Sequence, residues 1–269
     1  MNQLVEMFSY PFMVRACLAG LLISFCAALI GVPLVLRKKS MLGDGLSHAA
    51  FGACAIAVVM GLAPIWFAIP VVMLASFVIL SLRSQRHGDA SLALLSASAL
   101  AIGTFAISLS SGVNIDLNSY LFGSVLSVST TDLVLATLLT LAVIVVYLFA
   151  HNRIFAITFD ADFARAIGVK TRFYDLLFSA LCSVVVVVGM RLLGALLISS
   201  LIVFPTLIAM QFCKSFHRVV LLAVVFSLVN FLVGFVASYL LATPTGATIV
   251  ITNLIVLIFA KLIGIKAVN

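Results

Sequence analysis

Charge is scarce in this sequence. Asp, Glu, Lys and Arg make up 9% of its 269 residues, against about 25% in a soluble domain. That scarcity excludes an ordinary water-soluble fold, and no polar stretch is long enough to form a separate soluble unit. Cysteine is sparse too: Cys17, Cys26, Cys54, Cys182 and Cys213 lie in or at the ends of apolar runs, and none forms a CxxC pair. Buried, reduced thiols are expected, not a redox couple or a zinc ribbon. No Walker A loop occurs, so the chain does not hydrolyse ATP by that machinery. Neither GxSxG nor HExxH is present, which removes the familiar hydrolase constellations.

Apolar residues fill the space that charge leaves. They make up 65% of the chain, and the mean hydropathy is +1.36. A span needs about 20 apolar residues. Runs near 12–36, 47–62, 65–82, 91–110, 133–150, 174–190, 193–212, 219–241 and 246–263 meet that length closely enough to predict eight to nine crossings. The expected class is an all-α, polytopic helical bundle, with residues 1–269 as one transmembrane domain. The first run is too long for a signal-peptide core and reads as a retained span. Arg191 alone separates 174–190 from 193–212, and Pro205 is expected to interrupt the later helix.

The net charge of +7 does not indicate nucleic acid, because thirteen of the fifteen Lys and Arg fall in loops on one side of the predicted bundle. Arg37, Lys38, Lys39, Arg83, Arg86, Arg153, Arg165, Lys170, Arg172, Lys214, Arg218, Lys261 and Lys266 mark that side as cytoplasmic; Arg15 and Arg191 are the exceptions. The N-terminus is then outside and the C-terminus inside. Trp66 and Tyr239 fall at outer boundaries, Tyr147 and Tyr174 at inner ones.

One stretch combines acid and imidazole at the mouth of an apolar run. Gly43-Asp44-Gly45-Leu46-Ser47-His48 follows the basic cluster Arg37-Lys38-Lys39. On a helix, positions four apart share a face, so Asp44 and His48 can reach one ion. Ionisable groups entering hydrocarbon usually mark an ion or proton path. The alternative is that Asp44 caps a helix start and bonds His48. Beyond this pair the membrane interior is expected to hold no Lys and no further acid, which argues for one site and against a proton relay. His87, His151 and His217 read as solvated loop residues beside Lys or Arg.

Elsewhere the signals are structural or ambiguous. Ser91, Ser96, Ser98 and Gly103, then Gly194, Ser199 and Ser200, let helix backbones approach. Asn230 sits in mid-span and calls for an interhelical partner. The polar stretch 111–132 is an outer loop or a docking face. Phe159-Asp160-Ala161-Asp162-Phe163-Ala164-Arg165-Ala166-Ile167-Gly168 predicts a short helix capped by Asp160 and ended by Gly168. Phe159, Phe163, Ala166 and Ile167 form its apolar face. Too short to stand alone, the helix either lies on the bilayer or seats in another protein's groove.

Together these pieces resemble the zinc/manganese-uptake permeases of bacterial ATP-binding-cassette importers, essentially end to end. The stretch from Arg37 to Ala49 is similar to that family's basic turn and GDALSHA-type motif, with Gly45 in place of the usual alanine. Tyr120-Leu121-Phe122-Gly123, Gly194-Ala195-Leu196-Leu197-Ile198-Ser199-Ser200 with Pro205, and Pro244-Thr245-Gly246 resemble its outer segment, later signature and final turn. Phe204-Pro205-Thr206-Leu207-Ile208 departs from the small residues usual after that proline. The resemblance implies a type II importer fold in the bacterial cytoplasmic membrane. Two permease copies would form a homodimer, with a separate ATPase below and an extracytoplasmic metal-binding protein above. It implies a metal-contacting role for Asp44 and His48. It also implies an ATPase-coupling role for Phe159, Asp160, Asp162, Phe163, Arg165, Ala166 and Gly168. Zn²⁺, or next Mn²⁺, would be cargo, and no tightly bound cofactor is expected. The alternatives are an iron(II) or metal-chelate permease, a gradient-driven carrier, or an intramembrane metalloenzyme, which lacks a third ligand and a base.

Overall fold

The computed structural model describes residues 2–81, 88–110, 123 and 128–268. Among them every regular element is a helix. They are α1 (Asn2–Ser9), α2 (Pro11–Leu36), α3 (Met41–Val59), α4 (Pro64–Ser81), α5 (Gly88–Leu109), α6 (Thr130–Phe159), α7 (Ala161–Ala166), α8 (Thr171–Leu193), α9 (Ala195–Phe212), α10 (Phe216–Leu241) and α11 (Thr245–Val268). Eight of these are long and apolar enough to cross a bilayer, and the shorter α4 is apolar as well. The protein is a polytopic helical membrane protein.

Helices immersed in lipid gain little from hiding apolar surface, so close backbone approach has to hold them together. The inner helices α2 and α3 are rich in small residues, including Ala16, Ala19, Ala27 and Ala28 in α2 and Ala49, Ala50 and Ala53 in α3, all buried. The helix α2 packs against α6, α8, α9 and α10, and α3 packs against α4, α5, α8 and α9. The α2–α9 and α3–α5 seams are tight: a Cβ on Gly31 would stand 2.1 Å from the Ile202 carbonyl oxygen, and one on Gly52 2.5 Å from that of Ala99. Polar side chains stitch the bundle. Asn230 donates to the Asn253 amide oxygen at 2.9 Å, and Asn253 donates to the Ile249 carbonyl. Both amides are buried, so Asn230 is interhelical glue as expected. Ser76 and Ser179 hydrogen-bond between α4 and α8. All five cysteines are free thiols, four of them buried.

Several expectations are corrected. Helix α9 runs through Pro205 to Phe212 without a break. Proline there removes one backbone donor, but neighbours α2, α10 and α11 hold the helix on course. The division between α8 and α9 falls at Gly194 (φ 92°), a conformation that glycine adopts without strain, and Arg191 lies inside the last turn of α8. Phe159 closes α6, so α7 is the six residues from Ala161 to Ala166. Tyr147 is buried in the core, not at an interface. His151 and His217 lie on α6 and α10, with their Nε2 atoms 2.8 Å apart, instead of in solvated loops. Arg83, Arg86, His87, the polar residues Asn114 to Ser119, and Tyr120 to Phe122 lie outside the described residues.

Candidate functional site

Asp44 stands in the first turn of α3, and Ser40 occupies the N-cap position without a side-chain cap bond. Asp44 is therefore a helical residue, and the capping alternative falls. His48 follows one turn on, with Nε2 3.8 Å from Asp44 Oδ1. That separation is too long for a hydrogen bond. Two ligands on one tetrahedral zinc would stand about 3.4 Å apart, so small rotamer changes bring these atoms to a common ion. Both side chains are half-buried, at 49% exposure for Asp44 and 23% for His48. His48 Nδ1 is buried and has no protein hydrogen-bond partner among the described residues. Ser47 turns its hydroxyl back to the Asp44 carbonyl at 2.8 Å. A Cβ on Gly45 would stand 3.2 Å from Leu92 Cδ2. The usual alanine would therefore fit after a slight shift of that flexible side chain.

The basic turn before α3 is pinned in place. Lys38 adopts a left-handed φ of 56°, and the Arg37 guanidinium donates to Asp175 Oδ1 of α8 at 2.6 Å. Arg153 of α6 donates to the Tyr174 hydroxyl and stacks on its ring. At the other end of α6, Asp132 is buried in a reciprocal capping box with Ser129, and Arg191 lies 3.6 Å from it. Sequence reading missed both ion pairs. The signals the sequence offers are weak: Asp175 is an acid beside a basic segment, and Ser129-x-x-Asp132 fits a cap signature.

The segment after α6 forms as its sequence dictates. Asp160 accepts from the Asp162 and Phe163 amides at 3.0 and 2.8 Å. Gly168 (φ 86°) ends the turn while its amide donates to Arg165. Ala164 alone is buried against the chain, and Phe159, Phe163, Ala166 and Ile167 are exposed. Arg165 and Asp162 make a loose surface pair at 3.4 Å. At the opposite end of the bundle, Gly123 lies against the Leu193 carbonyl. Gly123, Leu193, Leu197, Thr245 and Gly246 border one apolar cavity. Three separate sequence signatures converge there.

The helical bundle carries an acid–imidazole pair at a helix mouth and a short capped helix with an exposed apolar face. The chain belongs to the ABC 3 transport family, whose match covers residues 9–264. It is 31% identical over 254 residues to a probable metal transport system membrane protein of Treponema pallidum, covering 93% of this chain and 95% of that protein. It is 27% identical over 241 residues to the high-affinity zinc uptake system membrane protein ZnuB of Haemophilus influenzae (88% and 92% covered). It is 26% identical over 259 residues to the manganese import system permease protein ScaB of Streptococcus gordonii (96% and 93% covered). Its fold matches that of PsaBC from Streptococcus pneumoniae, solved in complex with Fab, with TM-score 0.86 and 24% identity over 96% of this chain and 94% of that one.

Proposed function

We propose that residues 1–269 form a single permease domain, the membrane-spanning subunit of an ATP-driven importer of a divalent transition metal, zinc before manganese. Family membership supports the importer, and the zinc and manganese relatives support the cargo class. Asp44 and His48 carry the site, being one turn apart on α3 with a bare imidazole nitrogen. Asp oxygen and His nitrogen serve both metals, and two ligands make a weak site. Weakness suits conduction, because the ion must leave again. A second copy of the chain about a two-fold axis would supply another Asp44 and His48, and the carboxylates offset the ion's charge where the dielectric is low.

The partners follow from what this chain lacks. With no Walker A loop, it relies on a separate cytoplasmic ATPase. The proposed contact is Phe159, Asp160, Asp162, Phe163, Arg165, Ala166 and Gly168. An extracytoplasmic binding protein delivers the ion at the opposite end. The N-terminus is outside and the C-terminus cytoplasmic, in the bacterial inner membrane. ATP binding pushes α7, the helices rock, and the ion passes inward.

The test is reconstitution with the ATPase and binding protein, measuring ATP-driven uptake of zinc, manganese and iron side by side. Asp44→Ala and His48→Ala are each expected to abolish uptake while assembly and ATPase binding survive. Normal uptake in both variants overturns the pathway assignment. Uptake without any ATPase returns the reading to a gradient-driven carrier.

A further inference from the structure

The His151–His217 pair has no part in the importer reading above. His151 lies on α6 eight residues before its end, and His217 lies in the first turn of α10. Their Nε2 atoms face each other at 2.8 Å, and the ring centroids are 4.6 Å apart. Residues 66 apart in sequence are thus brought nitrogen to nitrogen at the end of the bundle that carries α7. The rings are held by aromatic neighbours: Tyr147 and Phe216 pack on His151, while Phe155 and Phe216 pack on His217. Such packing keeps both imidazoles aimed at one point.

Two imidazoles meeting through Nε2 can share one proton, as donor and acceptor. They can also share one metal ion through both Nε2 lone pairs, each ring keeping its hydrogen on Nδ1. Two nitrogens on a tetrahedral zinc stand about 3.3 Å apart, so the pair need open by only about half an ångström. No third His, Cys, Asp or Glu joins them among the described residues. His217 is exposed and His151 half-buried, so water can fill the remaining positions. An all-nitrogen donor set suits zinc, nickel or copper(II) and disfavours manganese and magnesium.

The geometry points to a second divalent-metal site, held by His151 and His217 and selective for nitrogen-preferring ions. Occupancy staples α6 to α10 and restrains α7, which begins ten residues beyond His151. The site stands on its own geometry and does not depend on the role proposed for Asp44 and His48.

The experiment is zinc titration of the purified full-length chain in detergent. It compares the unaltered protein with His151→Gln, with His217→Gln, and with each of these in an Asp44→Asn, His48→Gln background. Either imidazole substitution is expected to remove one equivalent of zinc per chain in both backgrounds, with unchanged elution volume and unchanged melting temperature in the absence of zinc. X-ray absorption of zinc bound in the Asp44→Asn, His48→Gln background is expected to show two imidazole ligands completed by oxygen. Zinc stoichiometry unchanged by His151→Gln and His217→Gln overturns the proposal and leaves a plain hydrogen bond. A zinc spectrum without imidazole does so as well, even if a variant folds poorly. Loss of an equivalent only with Asp44 and His48 supports the pathway site and rejects this one.

Discussion

Arg37 closes the turn between α2 and α3, and its guanidinium meets Asp175 of α8 with side-chain exposures of 15% and 24%. Water screens such a pair less than a surface one, and charged hydrogen bonds contribute about 1.5–3 kcal/mol. A double-mutant cycle with Arg37→Ala and Asp175→Ala, followed by unfolding in detergent, is expected to give a coupling of about 1–2 kcal/mol. A coupling below about 0.3 kcal/mol would mean that the contact does not anchor the turn. The basic cluster was visible in sequence, but its partner was not. Arg37 and Asp175 are 138 positions apart, and only packing of α2 against α8 brings them together. Asp44 and His48 were legible for the opposite reason. Their separation is one turn of a single helix, which local geometry sets before any tertiary contact forms.

At the scale of elements, α7 shows how a short helix persists. Six residues cannot nucleate alone. The Asp160 cap satisfies two amides, Gly168 accommodates the exit, and Ala164 packs inward. Its exposed apolar face is where an ATPase would dock. Phe163 is 60% exposed, so Phe163→Asp is expected to shift folding stability by no more than about 0.5 kcal/mol. The same change should weaken association with the ATPase at least tenfold, read by co-purification or binding titration. Unaltered association would remove α7 from the contact. The capping and terminating residues of α7 were legible because they act within a few positions of each other. Continuity of α9 through Pro205 was not, because neighbouring helices override the local preference of proline. The buried face of α7 was not legible either. Ala164, which lies outside the apolar face of Phe159, Phe163, Ala166 and Ile167, is the residue that meets the bundle.

Across the whole molecule, the 30 residues of α6 make a rod about 45 Å long. The hydrocarbon core is about 30 Å thick, so α6 is longer than a perpendicular crossing requires. Helices α5 and α11 lie at the periphery, with 11% and 22% of their apolar spans buried, whereas α2 and α3 reach 72%. A reporter fused after residue 269 is expected to be active only when it requires the cytoplasm, and one before residue 1 only when it requires the outside. The reverse pattern would invert the proposed pathway and place α7 beyond the reach of any ATPase.

Length, hydropathy and the asymmetry of basic residues settled that this is a many-span helical protein, because bilayer thickness and backbone hydrogen bonding leave few other solutions for such runs. Local spacing also settled which acid and imidazole share a helix face. Tertiary structure alone decided that Arg37 meets Asp175, that Arg191 approaches Asp132, and that His151 faces His217. Each of those contacts joins different helices, and in lipid their alignment follows from which small residues let backbones close together, a property of paired surfaces that no single segment contains.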